Sequence, residues 1–234
     1  MAYVFGSVGA VATSLDATSG AGGLACPLPS GLAQDDLLVI LAAGRPTFGL
    51  EFALPGTYQG LASSSDLTTK FFGKKSGAGE GSPTLVADQA GLCACVAVRF
   101  TGAPSTIGSI VHNSALATSG GGGFSFDPDI VTPALAVTED GTLILYGGAT
   151  SDDFWVPGTQ PNGSTQLVAE NIAGGGDMWL ALSYEIQTTA ANVPSSKFDS
   201  TSALTGRSSA IVLSLRSLAD PTPPPPGRRI YVMP

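Results

Sequence analysis

Charge is what this 234-residue chain has least of. Asp, Glu, Lys and Arg make up 12% of it, about half the ~25% of an ordinary soluble domain. Its surface must therefore be carried by Ser, Thr, Gly, Asn and Gln, which disfavours helices, whose exposed faces are normally built from charged and long polar residues. Cations are the scarcer sign, 10 Lys+Arg against 18 Asp+Glu, for a net charge of −8. Phosphate backbones are held by clustered Lys and Arg. The only basic clusters, Lys70–Lys74–Lys75 and Arg228–Arg229, are too small for a groove, so no nucleic-acid partner is expected. Histidine occurs once, as His112, which excludes a Cys/His zinc set and leaves a His-based triad a single candidate. His112 lies in Ile110–Ser114, a strand-to-turn context. Cysteine occurs three times, at Cys26, Cys93 and Cys95. The last two lie two apart in an apolar run and share one face of a strand, so they are not expected to bond each other. Buried thiols and intracellular synthesis are expected rather than a disulfide framework. The longest apolar runs, Leu37–Ala43 and Leu92–Val98, are far shorter than the ~20 residues that cross a bilayer. No Lys or Arg precedes Arg45, so the basic region of a signal peptide is missing. No membrane insertion is expected.

What the chain does have is 43% hydrophobic residues, with 31 Gly and 17 Pro. The first figure argues for a folded core rather than a disordered polymer. Gly and Pro together are about a fifth of the chain, against roughly 12% in average proteins, and most of them punctuate short β-prone runs. Those runs are Tyr3–Val11, Leu37–Leu41, Thr68–Lys75, Leu92–Phe100, Leu143–Tyr146, Met178–Ile186 and Ala210–Arg216. Between them lie turn signals such as Leu54-Pro-Gly56, Asp140-Gly141, Val156-Pro-Gly158 and Asn162-Gly163. No segment sustains a capped helical period, so the chain reads as all-β. Along Met178–Ile186 the apolar residues alternate cleanly with Trp179, Ala181, Ser183 and Glu185. That pattern predicts a strand with a core on one side and water on the other.

The same order of landmarks runs twice. Asp35-Asp36, a buried strand, Leu54-Pro-Gly56, Lys70-Phe-Phe72, Gly81-Ser-Pro83 and Val96–Phe100 occupy the first half. Glu139-Asp140, a buried strand, Val156-Pro-Gly158, Trp179–Leu182, Val193-Pro-Ser195 and Val212–Arg216 occupy the second. Matching points are offset by about 102 to 117 residues. Each half offers four or five strands, few for an independent sandwich. The expected fold is a pseudo-symmetric antiparallel β-sandwich, jelly-roll-like, spanning 1–219 and built from two similar halves at about 1–103 and 104–219. A polyproline spacer follows at 220–227, whose stretch from Pro221 to Pro226 reaches on the order of 19 Å. The end, 228–234, is a basic β-prone peptide that reads as a docking arm.

Motifs for chemistry are weak. Gly77–Gly81 lacks the strand-loop-helix setting of a dinucleotide fingerprint, and Gly73-Lys-Lys-Ser76 misses the P-loop spacing. Asp127-Pro-Asp129 and Asp152-Asp153 supply too few oxygens for Ca²⁺ and read as turn caps. Asn162-Gly-Ser164 matches a glycosylation sequon but is better read as a tight turn. No catalytic residue, cofactor or metal is therefore assigned. Phe124 and Phe126 after a glycine run, and Phe154-Trp155 beside Asp152-Asp153, are the loop aromatics suited to touching a glycan or a protein.

The order Asp36–Val39, Pro55-Gly56, Lys70–Phe72, Ser82–Thr84 and Val96–Gly102 resembles Gly/Ser-rich proteins of tailed bacteriophages, found among virion structural genes as minor capsid, decoration or tail-associated proteins. In that group an acidic-Leu-Leu-Val, Pro-Gly-Trp, Tyr-Lys, Pro-Thr, Ala-Val-Ala-Phe-Gly order recurs, and second halves echo first ones. The likeness covers about residues 35–216. It departs at Thr57-Tyr58, where the group has Trp. The resemblance implies a non-enzymatic β-sandwich carried on a virion, made in the host cytoplasm. Other virion proteins and further copies of this chain on a symmetric lattice would be its partners. Arg228, Arg229, Ile230, Tyr231 and Val232 are the expected docking residues. A host-glycan adhesion module using Asp152, Asp153, Phe154 and Trp155 is the alternative, and a polysaccharide depolymerase the third.

Overall fold

The computed structural model describes residues 3–45, 50–64, 69–102, 129–151, 158–172, 178–199 and 208–216, and the backbone of 112–119. The first half contributes β1 (Val4–Val8), β2 (Ala12–Ser14), β3 (Leu24–Ala25), β4 (Leu37–Gly44), β5 (Phe52–Ala53), β6 (Gln59–Ser63), β7 (Thr69–Lys75), β8 (Thr84–Ala87) and β9 (Cys93–Thr101). The second contributes β10 (His112–Ser119), β11 (Ile130–Thr132), β12 (Thr142–Thr150), β13 (Thr165–Ile172), β14 (Met178–Gln187), β15 (Ser196–Phe198) and β16 (Ser208–Leu215). Among the described residues the only helical pieces are single turns at Ser19–Ala21 and Pro161–Gly163. The fold is all-β, and every strand pair is antiparallel.

Two large sheets dominate. One runs β1-β9-β4-β7-β6, with β2 also on β9; the other runs β10-β16-β12-β14-β13. Numbered by their order along the chain, the five strands of either path lie first, fifth, second, fourth, third. Two short sheets, β3-β8-β5 and β11-β15, lie outside them. β3 and β11 fall between the first and second strands of their large sheets and β8 and β15 just before the last, while β5, between the second and third strands of its sheet, has no counterpart in the second half.

Burial explains the layering. Leu37, Val39 and Leu41 of β4, with Val96 and Val98 of β9, share a core with Leu143 and Leu145 of β12, Leu180 and Leu182 of β14, and Ile211 and Leu213 of β16. The two large sheets thus pack face to face, as expected of a sandwich. Most of the alternate residues of the same strands do not meet water either. Leu38, Ile40 and Ala42 pack with Phe52, Leu85 and Cys26 beneath the β3-β8-β5 sheet. Ile144, Tyr146 and Val212 pack with Ile130 and Phe198 beneath β11-β15. Four layers and three cores result, where two layers and one core were expected. The one-sided reading of Met178–Ile186 is corrected accordingly: Ala181 and Ser183 are fully buried, and Ala181 belongs to the third core.

The interface between the large sheets is stitched at several points. Thr69 Oγ1 and Ser209 Oγ share a buried hydrogen bond of 2.5 Å. Phe5 stacks on Tyr184 at 5.2 Å, and Phe100 meets Tyr184 edge-on at 5.7 Å. The Tyr3 hydroxyl donates to the Arg216 carbonyl at 2.9 Å, so the residue before β1 is tied to the residue after β16.

Candidate functional site

Each large sheet carries near the end of its last strand an arginine that ties back to the turn before its central strand. Arg99 donates through Nε to Asp36 Oδ2 at 2.6 Å, and the same carboxylate oxygen accepts the Ala33 N–H at 2.8 Å. Arg216 reaches Glu139 at 2.6 Å. The first pair is mostly covered, with side chains 20% and 10% exposed; the second is more than twice as open, at 37% and 38%. Arg216 and Glu139 border a small hollow of about 90 Å³ with Ala136, Thr138, Thr142 and Ser214. Burial pushes the Tyr3 hydroxyl up to about 12, so it stays a proton donor to the Arg216 carbonyl through the physiological range. The chain therefore leaves β16, an interior strand of its sheet, from a point held by a hydrogen bond and an ion pair.

A larger cleft, about 430 Å³, opens between the edge strands β6 and β5. Phe52, Leu54 and Phe72 give it apolar walls, and Glu51, Asp88 and Lys70 add charge. The Lys70 ammonium lies 5.1 Å from the centre of the Phe72 ring and donates to the Phe52 carbonyl at 3.0 Å. Glu51 and Asp88 face each other across the start of the outer sheet, where Asp88 Oδ1 accepts the Glu51 N–H at 2.9 Å. Carboxylate acceptors and a cation above an aromatic wall suit binding of polar groups. Sequence reading picked out Lys70-Phe-Phe72 as a landmark. Glu51 and Asp88 escaped it, because they lie 37 residues apart and meet only through the β5–β8 pairing.

The three cysteines are all buried and free, and all belong to the core beneath the first outer sheet. Cys93 Sγ donates to the Ser14 carbonyl at 3.4 Å, and burial pushes its thiol up to about 11. The neighbouring Cys26 thiol and burial together raise the Cys95 thiol well above the usual range.

The glycine-rich loop Gly77–Gly81 closes on Glu80. That carboxylate accepts from Lys74 at 2.7 Å, from the Gly77 N–H at 3.1 Å and from the Tyr58 hydroxyl at 3.4 Å. Asp129 holds Lys197 at 2.5 Å across the β11–β15 pair. Asn162 bridges the Tyr146 hydroxyl and the Pro194 carbonyl, both at 3.2 Å. Among the described residues no group of three or more His, Cys, Asp or Glu side chains is arranged to hold a metal ion. Asp152, Asp153, Phe154 and Trp155, and Arg228, Arg229, Ile230, Tyr231 and Val232, lie outside the described residues.

Compared with protein-family models, with curated proteins and with solved structures, the chain matches none.

Proposed function

We propose that the chain is a non-enzymatic structural component of a tailed-phage virion, attached to the capsid or tail shell as a decoration or spike-like protein. The observation that carries this reading is the anchored exit at Arg216. A peptide of 18 residues follows it, proline-rich and then basic and β-prone. A polyproline spacer loses little entropy when it is fixed. Its root on an interior strand, held by Tyr3 and Glu139, would pass a pull on the arm to both sheets rather than peel off an edge. Arg228 and Arg229 supply charge contacts, and Ile230, Tyr231 and Val232 add a strand to a partner's sheet edge. Many copies on a symmetric lattice sum weak docking into firm attachment. The shared strand order of the two large sheets supports one motif used twice, which gives a thick block whose central strands are buried on both faces. The resemblance over residues 35–216 supplies the virion setting.

Deleting residues 220–234 tests the arm. The truncated protein should keep its unfolding midpoint, because the three cores are untouched, and lose at least tenfold in co-sedimentation with particles. Undiminished incorporation overturns the proposal.

A further inference from the structure

Two sheets come to an end together at the cleft between β5 and β6. β6 is the edge of the large sheet and β5 the edge of the outer one. Among the described residues β6 pairs only with β7, and β5 only with β8. Open strand edges are templates for a further extended chain. The cleft, about 430 Å³, is of a size to take a few side chains. Glu51 and Asp88, both exposed, line it, and among the described residues neither is in an ion pair. Lys70 is turned onto the Phe52 carbonyl and the Phe72 ring.

One segment of the chain has the complementary make-up. Arg228 and Arg229 oppose the two carboxylates in sign, and Ile230 and Val232 are apolar and β-prone. In an extended chain Arg228, Ile230 and Val232 share one face, so a single strand offers its cation and its apolar residues to the cleft together. We infer that this arm of one copy docks in the β5–β6 cleft of the next, adding a strand beside β6. Arg228 meets Glu51 and Asp88, and Ile230 and Val232 settle among Phe52, Leu54 and Phe72. This rests on the docking role of the arm proposed for the virion, with a second copy of this chain as its partner. The course of β16 assigns the arm to a neighbour. Ser209, near the start of β16, meets Thr69 at 2.5 Å, beside Lys70 at the cleft end of β7. From there β16 runs roughly 23 Å away from that end to Arg216. Arg216 is tied to Tyr3, at the opposite end of the sheet, where Val4 faces Thr101 and Leu37 faces both Phe100 and Lys75. To reach its own cleft the arm would have to reverse at once, which a semi-rigid proline-rich spacer opposes. Arm into the next copy's cleft is a heterologous contact, which repeats into a ring or a strip.

Sedimentation velocity of the full chain at rising concentration tests this. The native chain should associate. Glu51→Lys with Asp88→Asn should weaken association roughly tenfold at an unchanged unfolding midpoint, since an amide oxygen at 88 still accepts the Glu51 N–H. Arg228→Glu with Arg229→Glu should weaken it equally, and all four changes in one chain should restore most of it. A photoreactive phenylalanine analogue in place of Tyr231, in a mixture of isotope-labelled and unlabelled chains, should cross-link to peptides bordering the cleft in mixed-isotope pairs. Links within single chains only, links elsewhere, no association, or no rescue by the exchanged charges would each overturn the inference. Co-sedimentation with particles separates it from the virion reading. If deleting residues 220–234 abolishes incorporation while the cleft variant is incorporated normally, the arm docks on another virion protein and only this inference falls. Self-association lost in both variants, with no binding of the native chain to particles, leaves this inference standing and removes the virion setting.

Discussion

At Gly147 the second sheet comes closer to the first than any side chain would permit. A Cβ placed there would lie 2.5 Å from the Phe71 ring and 3.0 Å from Leu41 Cδ1. Its neighbour Gly148 faces the other way, where a Cβ would lie 2.6 Å from Ile130 and 3.0 Å from the Ser209 carbonyl. The pair thus admits a side chain from the layer on either side of β12. Phe71 fills the central core fully buried, so it has nowhere to retreat. Gly147→Ala should therefore destabilise the protein by about 2 kcal/mol through overpacking, read from urea unfolding midpoints at constant slope. Pairing it with Phe71→Leu should recover part of the loss, because the ring that collides is gone. Losses that simply add would mean that the two positions do not touch.

Among the elements, the loop between β7 and β8 offers a titratable closure. Burial alone would raise the Glu80 carboxyl, but Lys74, the Gly77 N–H and Tyr58 outweigh it and hold the group below its ordinary 4.5. A carboxyl depressed in the folded state stabilises the fold above its unfolded value, and that contribution is lost as pH falls through the folded value. The stability advantage of the native protein over Glu80→Gln should therefore be full well above the ordinary 4.5 and shrink as the pH falls below it. Chemical denaturation across that range reads it, and an advantage independent of pH would assign the loop's stability to packing instead. Legibility in the sequence follows the same physics of exposure. Runs such as Leu37–Leu41 and Leu92–Phe100 stand out because β4 and β9 are buried on both faces and carry almost no polar residue. β13, Thr-Gln-Leu-Val-Ala-Glu-Asn-Ile, is an edge strand with half its residues in water and a register shift between Gln166 and Val168, so its alternation is broken. β12 runs four residues past Tyr146, where the sequence reading ended the strand, through glycines whose close approach to Phe71 and Ile130 only the fold creates. The acid-arginine ties were half visible, since the strands end in Arg, but which acid each one meets depends on register. The cleft at Lys70 was hidden for the same reason.

For the whole molecule, the decisive question is whether the two halves are separable. Both have their own outer sheet and their own outer core, which makes each look self-sufficient. The central core speaks against it, because its side chains come in comparable number from both sheets. Lifting the second sheet away would uncover Val39, Leu41, Phe71, Val96 and Val98, each now at most 1% exposed. At about 1.5–3 kcal/mol for each large side chain returned to water, the loss is on the order of 10 kcal/mol, as large as the whole stability of a typical domain. It would also strand the buried Thr69 hydroxyl without Ser209. Residues 1–103 expressed alone should therefore fail to give a monomer with a cooperative unfolding transition, and should either self-associate through the bared sheet or remain expanded. The full chain should unfold in one step, with calorimetric and van't Hoff enthalpies equal. A monomeric 1–103 fragment with a sharp transition of its own would instead make the central core a docking contact between two finished units, and the arm at the C-terminus would then hold only one of them directly.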